Sequence, residues 1–277
     1  MNLGERVAAW ADSEPSVKAV VLIGSRVRSD ADVIWRADPH SDWDFQIIAS
    51  DPKLFTDSRW TESLGIPLHT YVVRRAAIGG VPKVAALFQG VEADFVILPN
   101  RTLNLAKLAV GLGLHRRSER IKRGLQDLAL IARPGWRFLK GGPTWEPFYR
   151  RVVNDLADAR LDDQDVRRLA DGFVCDARWV SRKIDRGEYL AAQRAIHTSL
   201  VETNFRLLHE LKLRRRERSF PEARRAELIM SDVELAAVTV AATPDGVSLL
   251  QGLEKASLTC REFTKAMLGD AWRWPSL

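Results

Sequence analysis

The sequence predicts an α+β protein in which an N-terminal mixed β-sheet with flanking helices is followed by an all-helical C-terminal domain. Short apolar runs, separated by turns rich in proline and glycine, fill the first half of the chain. Long stretches with helical spacing of apolar residues fill the second half. Between them, the segment 133–147, "RPGWRFLKGGPTWEP", contains three prolines and three glycines. We therefore expect one domain over residues 1–137 and a second over residues 144–277.

The first half contains one helix and at least four strands by this pattern. Leu3, Val7 and Trp10 have helical spacing and predict a helix over residues 3–12. Apolar runs bounded by turn residues predict strands over 17–24, 42–49, 68–75 and 91–99. The segment 126–132, "QDLALIA", is also compatible with a short strand.

The second half changes to the helical period. Apolar residues recur on one stripe, as in the run from Leu190 to Leu211. This spacing predicts long helices over residues 164–185, 188–213, 221–241 and 245–267.

Composition and cysteine use predict a cytoplasmic protein. The 277 residues are 46% apolar and 28% charged, as in ordinary globular domains. No apolar run approaches the ~20 residues that a membrane span needs. The N-terminus has no apolar core followed by a small-residue cleavage site, so we expect neither a signal peptide nor membrane association. Cys175 and Cys260 have no paired or clustered ligand spacing, and we expect two buried thiols and no zinc site.

The net charge of +6 is concentrated in one segment. Residues 101–143 hold 10 Lys and Arg against 2 Asp and Glu, whereas residues 1–100 hold 10 against 13. A solvated helix face and a surface that contacts the phosphates of a nucleotide or nucleic acid both explain this excess.

Two aspartates one residue apart interrupt the second apolar run, "SDWDFQII". Side chains alternate along a strand, so Asp42 and Asp44 share one face. A carboxylate within an apolar strand costs free energy unless something pairs with it. The pair therefore indicates a cation, although capping of two turn and strand-edge acids by backbone N–H groups also explains it.

A third carboxylate favours the cation. In "VEADFVIL" the same alternation places Glu92 and Asp94 on one face. If this strand lies beside 42–49, three carboxylates meet, and they repel one another unless a divalent ion neutralises them. Hard oxygen ligands suit Mg²⁺, which also binds substrate phosphates.

The residues after the first strand are suited to a phosphate. Gly24 lets the backbone approach an anion closely. Ser25 can add a hydroxyl hydrogen bond beside the free N–H groups of the following turn, and Arg26 stands at the same entrance. The order of strand, Gly-Ser, Asp-x-Asp strand and later Asp-containing strand predicts a Mg²⁺–nucleoside triphosphate site.

With these motifs the sequence resembles the nucleotidyltransferase superfamily that includes DNA polymerase β. Within it the sequence is most similar to aminoglycoside adenylyltransferases of the streptomycin 6-adenylyltransferase kind. The resemblance rests on "AVVLIGSRV", "SDWDFQII" and "ADFVILP". A looser match, "FVCDARWVSRKIDRGEYLAAQRA" at 173–195, follows in the helical half.

The resemblance implies roles for individual residues. Asp42 and Asp44 would hold the metal, and Asp94 would lie beside them as a further metal ligand and as the general base. Gly24, Ser25 and Arg26 would contact the triphosphate. Lys183 would reach the nucleotide from the helical domain. Glu92, which shares a face with Asp94, stays open as the alternative base.

The resemblance also implies a Mg²⁺-dependent transfer of a nucleoside monophosphate, AMP from ATP, onto a hydroxyl of a small molecule. An aminoglycoside such as streptomycin is one candidate acceptor, which would make the protein an antibiotic-resistance enzyme. Two alternatives stay open: an antitoxin-like or nucleic-acid-binding protein without small-molecule turnover, and a nucleotidyltransferase acting on RNA ends. We favour a small-molecule acceptor over nucleic acid, and the oligomeric state stays open.

Overall fold

The computed structural model describes residues 1–28, 34, 36–55, 57–73, 81–219 and 223–275. The chain divides into two compact units, Met1–Ala159 and Arg160–Leu277. The sequence places this division earlier, between residues 137 and 144. It falls later because the helix Gly142–Asp155 packs on the sheet and helices of the first unit, so it belongs to that unit.

The first unit contains a mixed six-stranded sheet with the order β3-β4-β5-β2-β1-β6. The described pairings are antiparallel except that of β2 with β5, which is parallel. The strands are β1 Val17–Ile23, β2 Trp43–Ala49, β3 His69–Val73, β4 Lys83–Phe88, β5 Val91–Pro99 and β6 Arg137–Lys140. The predicted α+β class, with a helical C-terminal region, is confirmed.

Helices cover both faces of this sheet. The first-unit helices are α1 Leu3–Ser13, α2 Asn100–Gly111, α3 Glu119–Ala132 and α4 Gly142–Asp155. On one face α1 packs against β1 and β6 and shares an apolar cluster with Phe45 and Phe95 of the two central strands. On the other, α2 packs on β5, α4 on β6 and α3 on α4, in a cluster that includes Val21, Ile48 and the fully buried Tyr149. The two apolar layers fix the sheet from both sides.

The second unit is helical throughout its described part. Its helices are α5 Asp163–Asp185, α6 Tyr189–Ala195, a π-helical segment Ile196–Val201, α7 Glu202–Arg214, α8 Ala226–Ile229, α9 Asp232–Val238 and α10 Gly246–Leu268. The carboxylate of Glu210, which is almost fully buried, accepts hydrogen bonds from Arg160, Arg214 and the N–H of Leu161. Burial alone would raise the pKa of Glu210, but these donors outweigh it and lower that pKa.

Most predicted elements are confirmed, two are wrong and two strands were not predicted. The segment 126–132 is helical, because Ser118 caps α3 and Leu125, Ala129 and Ala132 face inward at helical spacing. Strands β4 and β6 escaped prediction because prolines and glycines surround them. In place of the single helix predicted over 221–241, the structure has two short helices, α8 and α9. Residues 221 and 222 of that prediction, and residues 74 and 75 of the predicted third strand, lie outside the described part.

The prediction of two buried thiols is wrong for Cys175. Cys260 is buried in α10, and burial raises the pKa of its thiol to about 12. Cys175 is exposed, because it lies off the inward stripe of α5 that contains Phe173 and Ala177. Within the described residues, none of the helices combines the length and apolarity that a bilayer span requires.

Candidate functional site

The register of the central strands brings three aspartates together. Asp42 immediately precedes β2, and Asp44 lies within it. Asp44 and Asp94 are direct partners in the parallel β2–β5 pair. One carboxylate oxygen from each of the three lies within 4.8 Å of the others. The sequence-predicted cluster is thus present as a group of side chains on one face of the sheet.

Burial changes along the face of β2 that holds these acids. Ile48 is fully buried and Gln46 is 2% exposed, whereas Asp44 is half-buried. Gln46 is satisfied because the hydroxyl of Tyr149 donates to its Oε1 at 2.8 Å. Burial raises the pKa of Tyr149, so the hydroxyl keeps its proton as donor. The helices therefore cover one end of β2 and leave the aspartates at the other.

Gly24 makes room for Asp44. It begins a 3₁₀ turn, Gly24–Val27, directly after β1, and has φ +78°. A Cβ atom at Gly24 would lie 2.2 Å from Oδ2 of Asp44. Glycine is thus required both by the left-handed backbone and by the carboxylate that lies against it.

Ser25 offers a hydroxyl that lacks a partner among the described residues. Its Oγ atom is buried and makes no hydrogen bond there. Buried polar groups are normally hydrogen-bonded, so an orphaned hydroxyl next to a carboxylate cluster fits an exogenous polar ligand. The glycine at 24, the hydroxyl and three hard oxygen donors fit a Mg²⁺ ion that carries phosphate oxygens.

Arg26 contacts the backbone that leads into β2. Its Nε donates to the carbonyl of Asp42 at 2.9 Å, and a terminal nitrogen donates to the carbonyl of Ser41. Its guanidinium carbon lies 4.5 Å from the ring centroid of Trp43. These contacts hold the backbone of Ser41 and Asp42 and the ring of Trp43, and so help to position the Asp42 side chain. The predicted contact of Arg26 with a triphosphate stays a prediction.

Two acids were candidates for the base, and the structure distinguishes their positions. Glu92 is exposed at the start of β5 and is not part of the described three-carboxylate cluster. Asp94 is part of it, and its Oδ2 lies 2.5 Å from Nζ of Lys83. Lys83 was missed because β4 was missed. The available signal was a lysine that opens the apolar run "KVAALF" just before a Gly-containing hairpin turn.

Lys183 lies in the second unit, on α5. Its Nζ lies 2.5 Å from a carboxylate oxygen of Glu188 and 5.1 Å from the ring centroid of Trp179. These contacts orient the side chain within that unit. A contact of Lys183 with the nucleotide stays a prediction.

Part of the basic segment 101–143 is neutralised internally. Ion pairs join three of its cations to acids of the same unit, Arg116 to Asp155, Lys122 to Glu119 and Arg133 to Asp158. Asp155 also contacts the buried ring of His115, and this hydrogen bond lowers the pKa of Asp155 despite partial burial. The segment is thus partly a network of ion pairs, and both explanations of its charge, a solvated helix face and a phosphate-binding surface, stay open.

Comparisons with known proteins give distant structural matches. No family model matches the chain, and no curated protein sequence matches it significantly. It is similar to the crystal structure of an aminoglycoside 6-adenyltransferase from Bacillus subtilis, with 12% identity, TM-score 0.42 and coverage of 99% of this chain and 94% of that one. It is also similar to a nucleotidyltransferase-like protein from Exiguobacterium sibiricum 255-15, with 11% identity, TM-score 0.36 and coverage of 96% and 76%.

Replacing Gly24 by Ala tests the close approach to Asp44. We expect Gly24→Ala to weaken Mn²⁺ binding by at least about 10-fold, because the new methyl group displaces the Asp44 carboxylate. Gly90→Ala is the matched control, since Gly90 has φ +72° but open space around its Cβ position. Mn²⁺ titration of both variants is the measurement. Equal Mn²⁺ affinities of the two variants would contradict the inference that Gly24 makes room for the Asp44 carboxylate at a metal site.

Replacing Arg26 by Ala separates its two roles. If Arg26 holds the residues before β2, we expect Arg26→Ala to weaken nucleotide-free Mn²⁺ binding by about 10-fold, because losing a contact that supports a metal ligand has an effect of this size. Arg133→Ala is the control, since its ion pair with Asp158 involves none of the three aspartates. An unchanged nucleotide-free Mn²⁺ affinity, combined with weaker triphosphate binding, would instead assign Arg26 to the phosphates.

Proposed function

We propose that this chain is a Mg²⁺-dependent nucleotidyltransferase that moves a nucleoside monophosphate, AMP from ATP, onto a hydroxyl of a small molecule. The observation that carries the proposal is the meeting of Asp42, Asp44 and Asp94 within 4.8 Å. Their position next to Gly24 and the unpartnered hydroxyl of Ser25 supports it.

Electrostatics favours a metal and a polyphosphate together at this site. Three carboxylates this close repel one another, and a divalent cation relieves the repulsion. Asp42 and Asp44 would hold Mg²⁺, with Asp94 as a further ligand. When bound, Mg²⁺ supplies neutralisation of the phosphate charge that develops during transfer. The N–H groups of the turn after Gly24 and the Ser25 hydroxyl would bind the triphosphate oxygens.

Asp94 is the group that would receive the acceptor's proton. The acceptor hydroxyl loses its proton to a carboxylate oxygen of Asp94 as its oxygen attacks the α-phosphorus. The bond between the α-phosphorus and the oxygen that bridges to the β-phosphorus breaks, and pyrophosphate leaves with that electron pair. Asp94 is preferred over Glu92 because it belongs to the cluster that would hold the reacting phosphate.

The charge around the site favours a cationic acceptor. Four acids lie on this face of β2 and β5 or at its edge, Asp42, Asp44, Glu92 and Asp94, and they outnumber the two cations described beside them, Lys83 and Arg26. The basic segment 101–143 belongs to other elements. A polycation with free hydroxyls complements this surface. An aminoglycoside such as streptomycin has that chemistry and is our first acceptor to test.

Replacement of the metal-binding carboxylates tests the reaction. We expect Asp42→Asn and Asp44→Asn to reduce acceptor-dependent pyrophosphate release by at least about 10²-fold, because the charge stabilisation at the transferred phosphate is lost. Asp51→Asn, at an exposed acid beyond the end of β2, is the control and should retain activity.

The measurement is pyrophosphate release with Mg²⁺, each of four nucleoside triphosphates and a panel of streptomycin, other aminoglycosides, short RNAs and no acceptor. Release that needs one acceptor and disappears in Asp44→Asn identifies reaction and substrate together. Undiminished release in Asp44→Asn would refute the assignment of this cluster.

A further inference from the structure

A lysine on the neighbouring strand lies against the third carboxylate. In the β4–β5 pair, Ala85 is the direct partner of Asp94, and Lys83 is two residues away on the same face. That diagonal spacing is within reach of a long side chain. Nζ of Lys83 lies 2.5 Å from Oδ2 of Asp94, and the two side chains are 32% and 23% exposed. The ion pair is thus partly shielded from water, where it is screened less than a surface pair.

The strand order places Lys83 on the side of the aspartates that is opposite to the Gly24 turn. Across the sheet, β1 ends at the Gly24 turn, β2 follows with Asp44, β5 with Asp94 and β4 with Lys83. The Lys83 ammonium and the turn Gly24–Val27, which we predict to bind the phosphates, therefore lie on opposite sides of the carboxylates. An acceptor that attacks in line, from the side opposite the leaving pyrophosphate, approaches on the Lys83 side.

The charges in this row can be balanced without a second metal ion. One divalent cation and the Lys83 ammonium together offset the three carboxylates of the cluster, before the further charges of Glu92 and Arg26 are counted. An Asp94 oxygen that already pairs with Lys83 is also less available as a ligand for a second divalent cation, because the ammonium repels it. The other Asp94 oxygen stays available to the metal ion that Asp42 and Asp44 would hold and to the acceptor proton.

We propose that Lys83 is the acceptor-side cation of this site, so that the cluster binds one divalent metal ion rather than two. The proposal rests on the proposed function. Lys83 is a positioning residue: it orients Asp94, and its ammonium neither gains nor loses a proton. The proton of the acceptor hydroxyl moves to Asp94, and pyrophosphate carries away the electron pair of the broken P–O bond.

The test counts bound metal ions. Mn²⁺ per chain is measured by equilibrium dialysis, with electron paramagnetic resonance of free Mn²⁺, in the presence and absence of a non-hydrolysable ATP analogue. The variants are Lys83→Met, Lys83→Arg and Asp44→Asn. Lys122→Met is the matched control, because Lys122 pairs with Glu119 on the exposed face of α3.

Without nucleotide, we expect one bound Mn²⁺ per chain in three proteins, the wild type, Lys83→Arg and Lys122→Met, and we expect this ion to be lost in Asp44→Asn. We expect two in Lys83→Met, because the freed Asp94 carboxylate completes a second site. Lys83→Met should also lower kcat for the acceptor more than it raises KM for the nucleotide. The wild-type count needs no variant, so a folding defect in Lys83→Met leaves the test valid.

The other possible results separate a failure of the role of Lys83 from a failure of the proposed function. Two Asp44-dependent Mn²⁺ ions in nucleotide-free wild type, or one in well-folded Lys83→Met, overturn the role of Lys83 and leave the proposed function standing. Absence of Mn²⁺ binding by the wild type, with or without nucleotide, or binding that persists in Asp44→Asn, overturns the metal site and with it the proposed function.

Discussion

Mutual repulsion among three carboxylates is the constraint on which the site depends. Two neighbouring parallel strands place Asp44 and Asp94 opposite each other, and Asp42 precedes the same strand. Charges this close in a partly shielded setting interact with several kcal/mol at an effective dielectric near 20, by an order-of-magnitude estimate. Positive charge and fixed backbone around such a group reduce the repulsion. The residues around the cluster supply both.

The supporting residues act in different ways. Gly24 has no side chain to displace the Asp44 carboxylate. Arg26 holds the carbonyls just before β2 and contacts the ring of Trp43, so its positive charge stays near the cluster. Lys83 pairs with Asp94 directly. The apolar layers on both faces of the sheet keep these strands in register, so strands hold Asp44 and Asp94, while Asp42 and the Gly24 turn lie at strand ends.

The sequence predicted the aspartate cluster because strand alternation is local information. Spacing alone assigned Asp42 and Asp44 to one face of their strand and Asp94 to one face of another, and the cluster followed on the condition that the two strands are neighbours, which the β2–β5 pair meets. Lys83 could not be assigned in this way, because its contact depends on which strand neighbours β5. The short strand that contains it is surrounded by glycine and proline, which masked the signal. The pairing of Arg26 with backbone carbonyls is likewise a product of the tertiary fold.

The segment 126–132 shows the limit of local pattern from the other direction. Its run of apolar residues fits a strand, but a helix forms there because Ser118 caps its start and Leu125, Ala129 and Ala132 face the apolar cluster in which α3 packs on α4. Short apolar runs are ambiguous until the surrounding surface is known. The same holds for Gln46, which shares the face of Asp44 yet is a buried structural residue bonded to Tyr149.

The central claim is that this cluster is a metal–triphosphate site. Its most direct test is a crystal soaked with Mn²⁺ and a non-hydrolysable ATP analogue, measured at an X-ray energy where manganese scatters anomalously. The account predicts an anomalous peak bonded to Asp42, Asp44 and phosphate oxygens, with the triphosphate against the Gly24 turn. A nucleotide bound elsewhere, or no manganese at these aspartates at saturating concentration, would contradict it.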